Sequence, residues 1–116
     1  GLHRAQQAVS EREEGDRVML SGPDFALTGV RKQPLSAGRA AVAIRPEEIA
    51  MGVAPGGVNT IVARVDNVEY AGRDSLLDVV TPSGTVLHVR ATGMHALGDM
   101  VRVHVPVERA LVYPGE

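Results

Sequence analysis

Four histidines, His3, His88, His95 and His104, carry the side chains best suited to metal binding or proton transfer. No pair has the spacing by which a helix presents two imidazoles to one ion, and no cysteine is available to complete a thiolate site. His88 and His104 fall at alternating strand positions and could meet across a sheet; the favoured expectation is separate surface or half-buried histidines. A nucleophilic set can be drawn from Ser75, Ser83, His88 and Asp99, but no Gly-x-Ser-x-Gly elbow holds a serine on a strained turn. Asp74 with Asp78, or Glu47 with Glu48, are the carboxylate pairs open to acid–base work. Lying beside turns, they are expected to be solvated. No Gly-rich loop closes on Gly-Lys-Ser/Thr, so Gly56-Gly57 reads as a turn and not as a phosphate cradle. The sequence therefore assigns no catalytic residue, no cofactor ligand and no metal ligand to this chain.

Charge and aromatic content narrow the binding classes. Twelve Lys+Arg stand against 14 Asp+Glu, a formal net charge of −2. A dedicated nucleic-acid binder needs a basic face to neutralise phosphates, and a single-strand binder needs stacking aromatics on it. Phe25, Tyr70 and Tyr113 are too few and too scattered for that; both tyrosines are expected to plug a barrel core with the hydroxyl at the rim. Neither nucleic acid nor direct membrane insertion is expected, since no apolar run approaches the roughly 20 residues of a membrane span. Arg31, Lys32 and Arg39 offer charge for a small oxyanion, with backbone N–H groups of Gly-rich turns as further donors, but they form no compact motif.

The elements that must position these groups are strands. A chain of 116 residues suits one domain over 1–116. Val abounds, with 13 Gly and 7 Pro, a composition of short strands and frequent turns. Ile61, Ala63, Val65 and Asn67 share one face of a strand, and Val62, Arg64, Asp66 and Val68 the other. Leu87, Val89 and Ala91 alternate with Val86, His88 and Arg90, and Val101, Val103 and Val105 with Met100, Arg102 and His104. Pro82-Ser83-Gly84 joins Leu76–Thr81 to Thr85–Arg90 as a hairpin. An earlier hairpin turns at Ser21-Gly22-Pro23-Asp24. Short helical turns are expected at Pro46–Ile49 and Pro106–Ala110. About nine strands with close turn signals predict a barrel or two packed small sheets.

The most informative segment is Val42-Ala43-Ile44-Arg45-Pro46-Glu47-Glu48-Ile49. A strand ends at Arg45, Pro46 forces the turn, and Glu47 is placed to reach back toward Arg45 or a free backbone N–H. Downstream, Asn59 opens a long strand closed by Tyr70-Ala71-Gly72, then come Gly84 with Leu87 and Val89, Gly98-Asp99-x-Val101-x-Val103, and Ala110-Leu111-Val112-Tyr113. This ordered series resembles the TOBE (transport-associated OB) domain at the C-terminus of the ATP-binding subunits of bacterial ABC importers, of the maltose, polyamine, sulfate or ferric-iron type. Residues 39–113 match well, and 1–38 fit the more variable first strands. The resemblance departs at Pro106-Val107-Glu108, where Pro and Glu are expected to be adjacent. Arg45, Pro46, Glu47, Asn59, Tyr70, Gly72, Gly98 and Asp99 are the family-motif residues, structural in role.

That resemblance implies an all-β fold, an OB-like small barrel with an additional small sheet from the N-terminal strands. It implies an upstream ATPase domain, absent from this chain, that carries ATP and Mg. The chain itself is then a non-catalytic regulatory and dimerisation domain supporting solute import, with polyamine or ferric iron as candidate cargo. Its expected partners are a second copy of the ATP-binding subunit and, through the parent, the importer's membrane subunits. Its expected place is peripheral, at the cytoplasmic face of the inner membrane. Small-ligand or oxyanion sensing is the alternative, and an OB nucleic-acid binder a weaker one.

Overall fold

A computed structural model describes residues 6–23, 25–35 and 38–115. His3 and Asp24 lie outside the described residues. The fold is all-β and OB-like, with ten strands among the described residues. Strands β1 (Gln6–Glu14), β2 (Arg17–Ser21), β3 (Ala26–Arg31) and β4 (Arg39–Ala43) are followed by the two-residue β5 (Ala50–Met51). Then come β6 (Thr60–Ala71), β7 (Asp74–Val80), β8 (Val86–Thr92), β9 (Met100–His104) and β10 (Leu111–Pro114).

The strands form two units. The order β1-β2-β3-β10-β4 closes on itself as a barrel, and a five-stranded sheet runs β5-β9-β6-β7-β8. The N-terminal strands thus have a sheet of their own, closed by the last strand. β10 lies parallel to β3, through Leu111 opposite Val30, and antiparallel to β4, through Val112 opposite Val42. Closure removes the free edges that three short strands would expose. One continuous core runs through both units, from Val18, Leu20, Val42 and Val112 to Ala63, Leu77, Val79 and Val103.

Alternation is kept where it was read. β8 buries Leu87, Val89 and Ala91 and exposes Val86, His88 and Arg90. In β6 it holds from Ile61 to Val65 and then shifts phase. Val65 pairs Val79 and Asn67 pairs Asp78, so Asp66 is an extra residue, a β-bulge. The bulge corrects the expected faces: Asn67 is exposed, and Val68, not Asn67, packs on the core. Past Val68 the strand overshoots the core, which corrects a second expectation. Tyr70 is not a core plug but 59% exposed, while Tyr113 in the barrel is half-buried.

Candidate functional site

The Arg45-Pro46-Glu47 segment forms a single 3-10 turn, Pro46–Glu48, directly after β4. Proline fixes φ for the first turn position, and the turn closes through Glu48 N–H to Arg45 O at 2.9 Å and Ile49 N–H to Pro46 O at 3.1 Å. The expected Arg45–Glu47 ion pair is not there. In a 3-10 turn residues three apart stack and adjacent ones diverge. Glu48 therefore shares the side of Arg45, and both line a groove of about 130 Å³ with Glu108 and Arg109. Glu47 points away, to a second groove of about 360 Å³ beside Leu76, Asp78 and His88. The acid that pairs is Glu48, with Arg109 Nε at 3.7 Å. Arg109 belongs to the other expected turn, Val107–Arg109, where Pro106 stands just before the first turn residue. The departure from the family's Pro-Glu spacing is absorbed there without loss of the turn.

Asn59 stands one residue before β6 and has φ +55°. Its side chain is 4% exposed. Its Oδ1 accepts from Thr28 N–H at 2.8 Å, and its Nδ2 donates to Thr28 O at 2.8 Å. The carboxamide thus pairs with β3 as a strand residue would, tying the sheet to the barrel. Asn tolerates the left-handed conformation better than other non-glycine residues, so one residue type meets both demands. Sequence reading placed Asn59 as a strand opener and missed the latch.

Gly72 has φ +68° in the two-residue connection of β6 to β7, between Ala71 and its cross-strand partner Asp74. The Tyr70 hydroxyl donates to His95 O at 3.4 Å. Gly98 N–H donates to Val65 O at 2.8 Å, and Asp99 Oδ2 accepts from Ala96 N–H at 3.0 Å. The Tyr70 bond ties the β8–β9 connection to the end of β6 and the Gly98 bond ties it to mid-strand, while the Asp99 bond closes a turn inside the connection. Tyr70, Gly98 and Asp99 all hold the β8–β9 connection, Gly98 and Asp99 beside Val65, while Arg45, Pro46 and Glu47 lie at the exit of β4.

The groups open to catalysis are not brought together. Ser75 is buried and donates to Gly93 O at 3.1 Å. His88 Nδ1 lies 2.6 Å from Asp78 Oδ1, and Asp74 Oδ2 accepts from Arg90 at 2.9 Å. His104 Nδ1 contacts Gly52 O at 2.7 Å, so His88 and His104 take separate partners and do not meet. Arg31 is engaged by Glu13 at 2.7 Å on the barrel, and Arg39 lines a different groove with Val9 and Ser21. Among the described residues no group of three His, Asp or Glu is placed to hold a metal. Among the described residues no helix is long and apolar enough to cross a membrane.

The outer face of the sheet is the surface that stands out. Val62 is 46% and Met100 63% exposed, and Val53 and Val86 are exposed as well. Val62 and Arg102 are cross-strand partners, as are Arg64 and Met100. The barrel strands do not cover this face.

The TOBE domain family profile matches residues 42–112, more than half of the chain. No curated protein matches the sequence. Among solved structures, the cytoplasmic molybdate-binding protein ModG, in a form with molybdate bound, superposes with a TM-score of 0.73. The match covers 94% of this chain and 94% of that one at 13% identity, a likeness of fold. The profile spans the Arg45-Pro46-Glu47 turn, the Asn59 latch and the whole of the β5–β9 sheet, and by that match this chain belongs to the TOBE domain family.

Proposed function

We propose that the chain is the non-catalytic regulatory and dimer-contact domain of the ATP-binding subunit of a bacterial ABC importer. In this reading ATP and Mg are bound by the upstream ATPase domain, which also carries the module to the cytoplasmic face of the inner membrane. The observation that carries the reading is the uncovered outer face of β6 and β9. The core takes Ile61, Ala63 and Val65, with Val68 packed against it past the bulge, and the outer side of β6 keeps one aliphatic residue, Val62. Val62, with Met100 beside it, is left facing water. Contiguous apolar surface on a small domain marks contact with another protein. Tethering to ATPase domains raises the effective concentration of the two modules in the parent, so weak or moderate self-association of the isolated chain is expected. Sedimentation equilibrium from micromolar to millimolar tests it, and a strictly monomeric species throughout contradicts the dimer-contact role.

A second reading, oxyanion binding, draws on the shared fold with a molybdate-binding protein. Against it, Arg31 is held in an ion pair with Glu13, while Arg39 lines a groove with Val9 and Ser21 that Arg31 does not enter. Saturable micromolar binding in a calorimetric titration with molybdate favours this second reading; no heat beyond dilution favours the first.

A further inference from the structure

Between the loop that follows β5 and the outer side of β9 and β6 runs a groove of about 410 Å³, lined by Gly52, Val53, Val62, Met100, Val101 and Arg102. Its wall is held from within the chain. Gly52, at φ +95°, bends the backbone out of β5. Its N–H donates to Arg102 O at 2.7 Å, and His104 Nδ1 lies 2.7 Å from its carbonyl oxygen, so both backbone polar groups of one residue tie the loop to β9. Gly57 N–H closes a turn further along by donating to Ala54 O at 2.8 Å. A volume of this size falls in the range of ligand sites, about 300–1,000 Å³.

Three aliphatic side chains of the groove, Val53, Val62 and Met100, are exposed. The charge beside them has one sign. Val62 is the cross-strand partner of Arg102, and Met100 that of Arg64. The two arginines therefore stand on one diagonal of this strand pair and the two aliphatic residues on the other. Diagonal neighbours lie about 7–8 Å apart, close enough for both guanidinium groups to reach acids on one short segment. Both arginines are exposed, and neither makes an ion pair among the described residues. No acid is among the lining residues. Asp99, next to Met100, accepts from Ala96 N–H instead, and Asp66, the next acid along β6, sits at the bulge without an ion pair to Arg64.

We propose that this groove seats an acidic segment of a partner protein, with one apolar anchor residue between Val53, Val62 and Met100 and carboxylates on Arg64 and Arg102. The inference goes beyond the dimer-contact reading and uses part of the same face, so the segment and a second copy exclude one another at Val62. Opposite charge selects the occupant. The chain carries a net charge of −2, and here two unpaired guanidinium groups flank an apolar wall. Arginine forks bind carboxylates with two parallel bonds, and an anchor that displaces water strengthens them. Nucleic acid would need a wider basic face and stacking aromatics. A lipid surface takes up projecting apolar side chains, whereas these line a concavity walled by the loop. Two exposed ion pairs and one anchor give a weak contact, with a dissociation constant on the order of 1 mM for a short peptide. Added salt loosens it further.

The test titrates the isotope-labelled chain, at micromolar concentration, with the acetylated peptide Glu-Glu-Leu-Glu-Glu and follows backbone amide NMR shifts. Saturable shifts are expected at Val53, Val62, Met100 and Arg102. Two control peptides, Lys-Lys-Leu-Lys-Lys and Glu-Glu-Gly-Glu-Glu, are each expected to bind at least tenfold more weakly, the first without carboxylates and the second without an anchor. Arg64→Gln with Arg102→Gln is expected to lose binding at least tenfold while the rest of its spectrum stays unchanged, which shows that the variant is folded. Met100→Ser gives a loss through the apolar wall by an independent route. Equal binding of either control peptide, unchanged binding by the double Gln variant, or shifts that are absent or lie outside the groove overturn the proposal. Phosphatidylglycerol vesicles that shift these amides where the peptide does not also overturn it and assign the groove to a lipid surface. The dimer-contact reading is judged separately, by dilution without peptide. Peptide binding by a chain that never self-associates removes that reading and keeps the groove; self-association without peptide binding does the reverse.

Discussion

Replacing Asn59 by Ala is expected to cost about 3–5 kcal/mol of folding stability. The amide makes two 2.8 Å bonds to one residue, Thr28, from a side chain that is 4% exposed. Ala removes both and leaves the Thr28 N–H and C=O without partners at a partly buried seam, at about 1–2 kcal/mol each. It also places a Cβ residue without a compensating side chain at φ +55°, a further cost of about 1 kcal/mol. With total stability of about 5–15 kcal/mol, the variant is left near the edge of folding. Asn59→Gly separates the terms: it relieves the backbone cost but not the lost bonds, and should recover only about 1 kcal/mol of the deficit. Asn59→Asp keeps an acceptor for the Thr28 N–H but sets a carboxylate against the Thr28 carbonyl. Its carboxyl should therefore titrate above the usual range, so its deficit shrinks as pH falls and the protonated oxygen can donate. Urea unfolding of the four proteins measures all of this. A loss below about 1 kcal/mol for Asn59→Ala, or a Gly variant as stable as the original chain, refutes the latch.

Four further outcomes follow from the same geometry. Gly29→Ala should destabilise by about 1–3 kcal/mol, since its Cβ would lie 2.5 Å from the Ala110 carbonyl oxygen, a backbone atom with little room to move; thermal unfolding measures it. Glu108 is held below the ordinary 4.5 of a glutamate by a bond from its own backbone N–H first and by Arg17 second. Its small contribution is present above the unfolded pKa and lost as pH falls through the folded one; carboxyl NMR titration of Arg17→Ala should raise the midpoint only in part. A double-mutant cycle of Arg45→Ala and Glu47→Ala should be additive within about 0.5 kcal/mol, because the two side chains diverge from the Pro46 turn; coupling above 1 kcal/mol contradicts that placement. Calorimetry with Mg-ATP should show no saturable binding to the isolated chain, and micromolar binding would overturn its non-catalytic reading.

Much of the fold was legible because its signals are local. The alternation of Val86–Ala91 and Ile61–Val65 needs only neighbouring residues, and so do the turn at Pro82-Ser83-Gly84 and the proline-started turn at Pro46. What was hidden depends on a strand's partner. The Asp66 bulge exists only as a register shift against β7, so Asn67 and Val68 were assigned to the wrong faces. The length of β6 gave no sign that its end would overrun the core and leave Tyr70 in water. Asn59 finds its partner 31 residues away; its one local signal was an Asn between a Gly-Gly turn and a strand, a place that favours positive φ. The pairing of Arg64 with Met100 and of Arg102 with Val62, which builds the outer face, likewise appears only with the register. That β10 closes the barrel of the first strands joins the two ends of the chain and has no local trace.

The most direct test of the dimer-contact account is to follow backbone amide NMR shifts while the isolated chain is diluted from millimolar to micromolar. The account predicts fast-exchange changes confined to the outer face of the sheet, at Val62, Arg64, Asp66, Met100 and Arg102. The barrel residues, such as Val18 and Val112, stay fixed. Shifts that are absent over the whole range, or that concentrate on the barrel, contradict it.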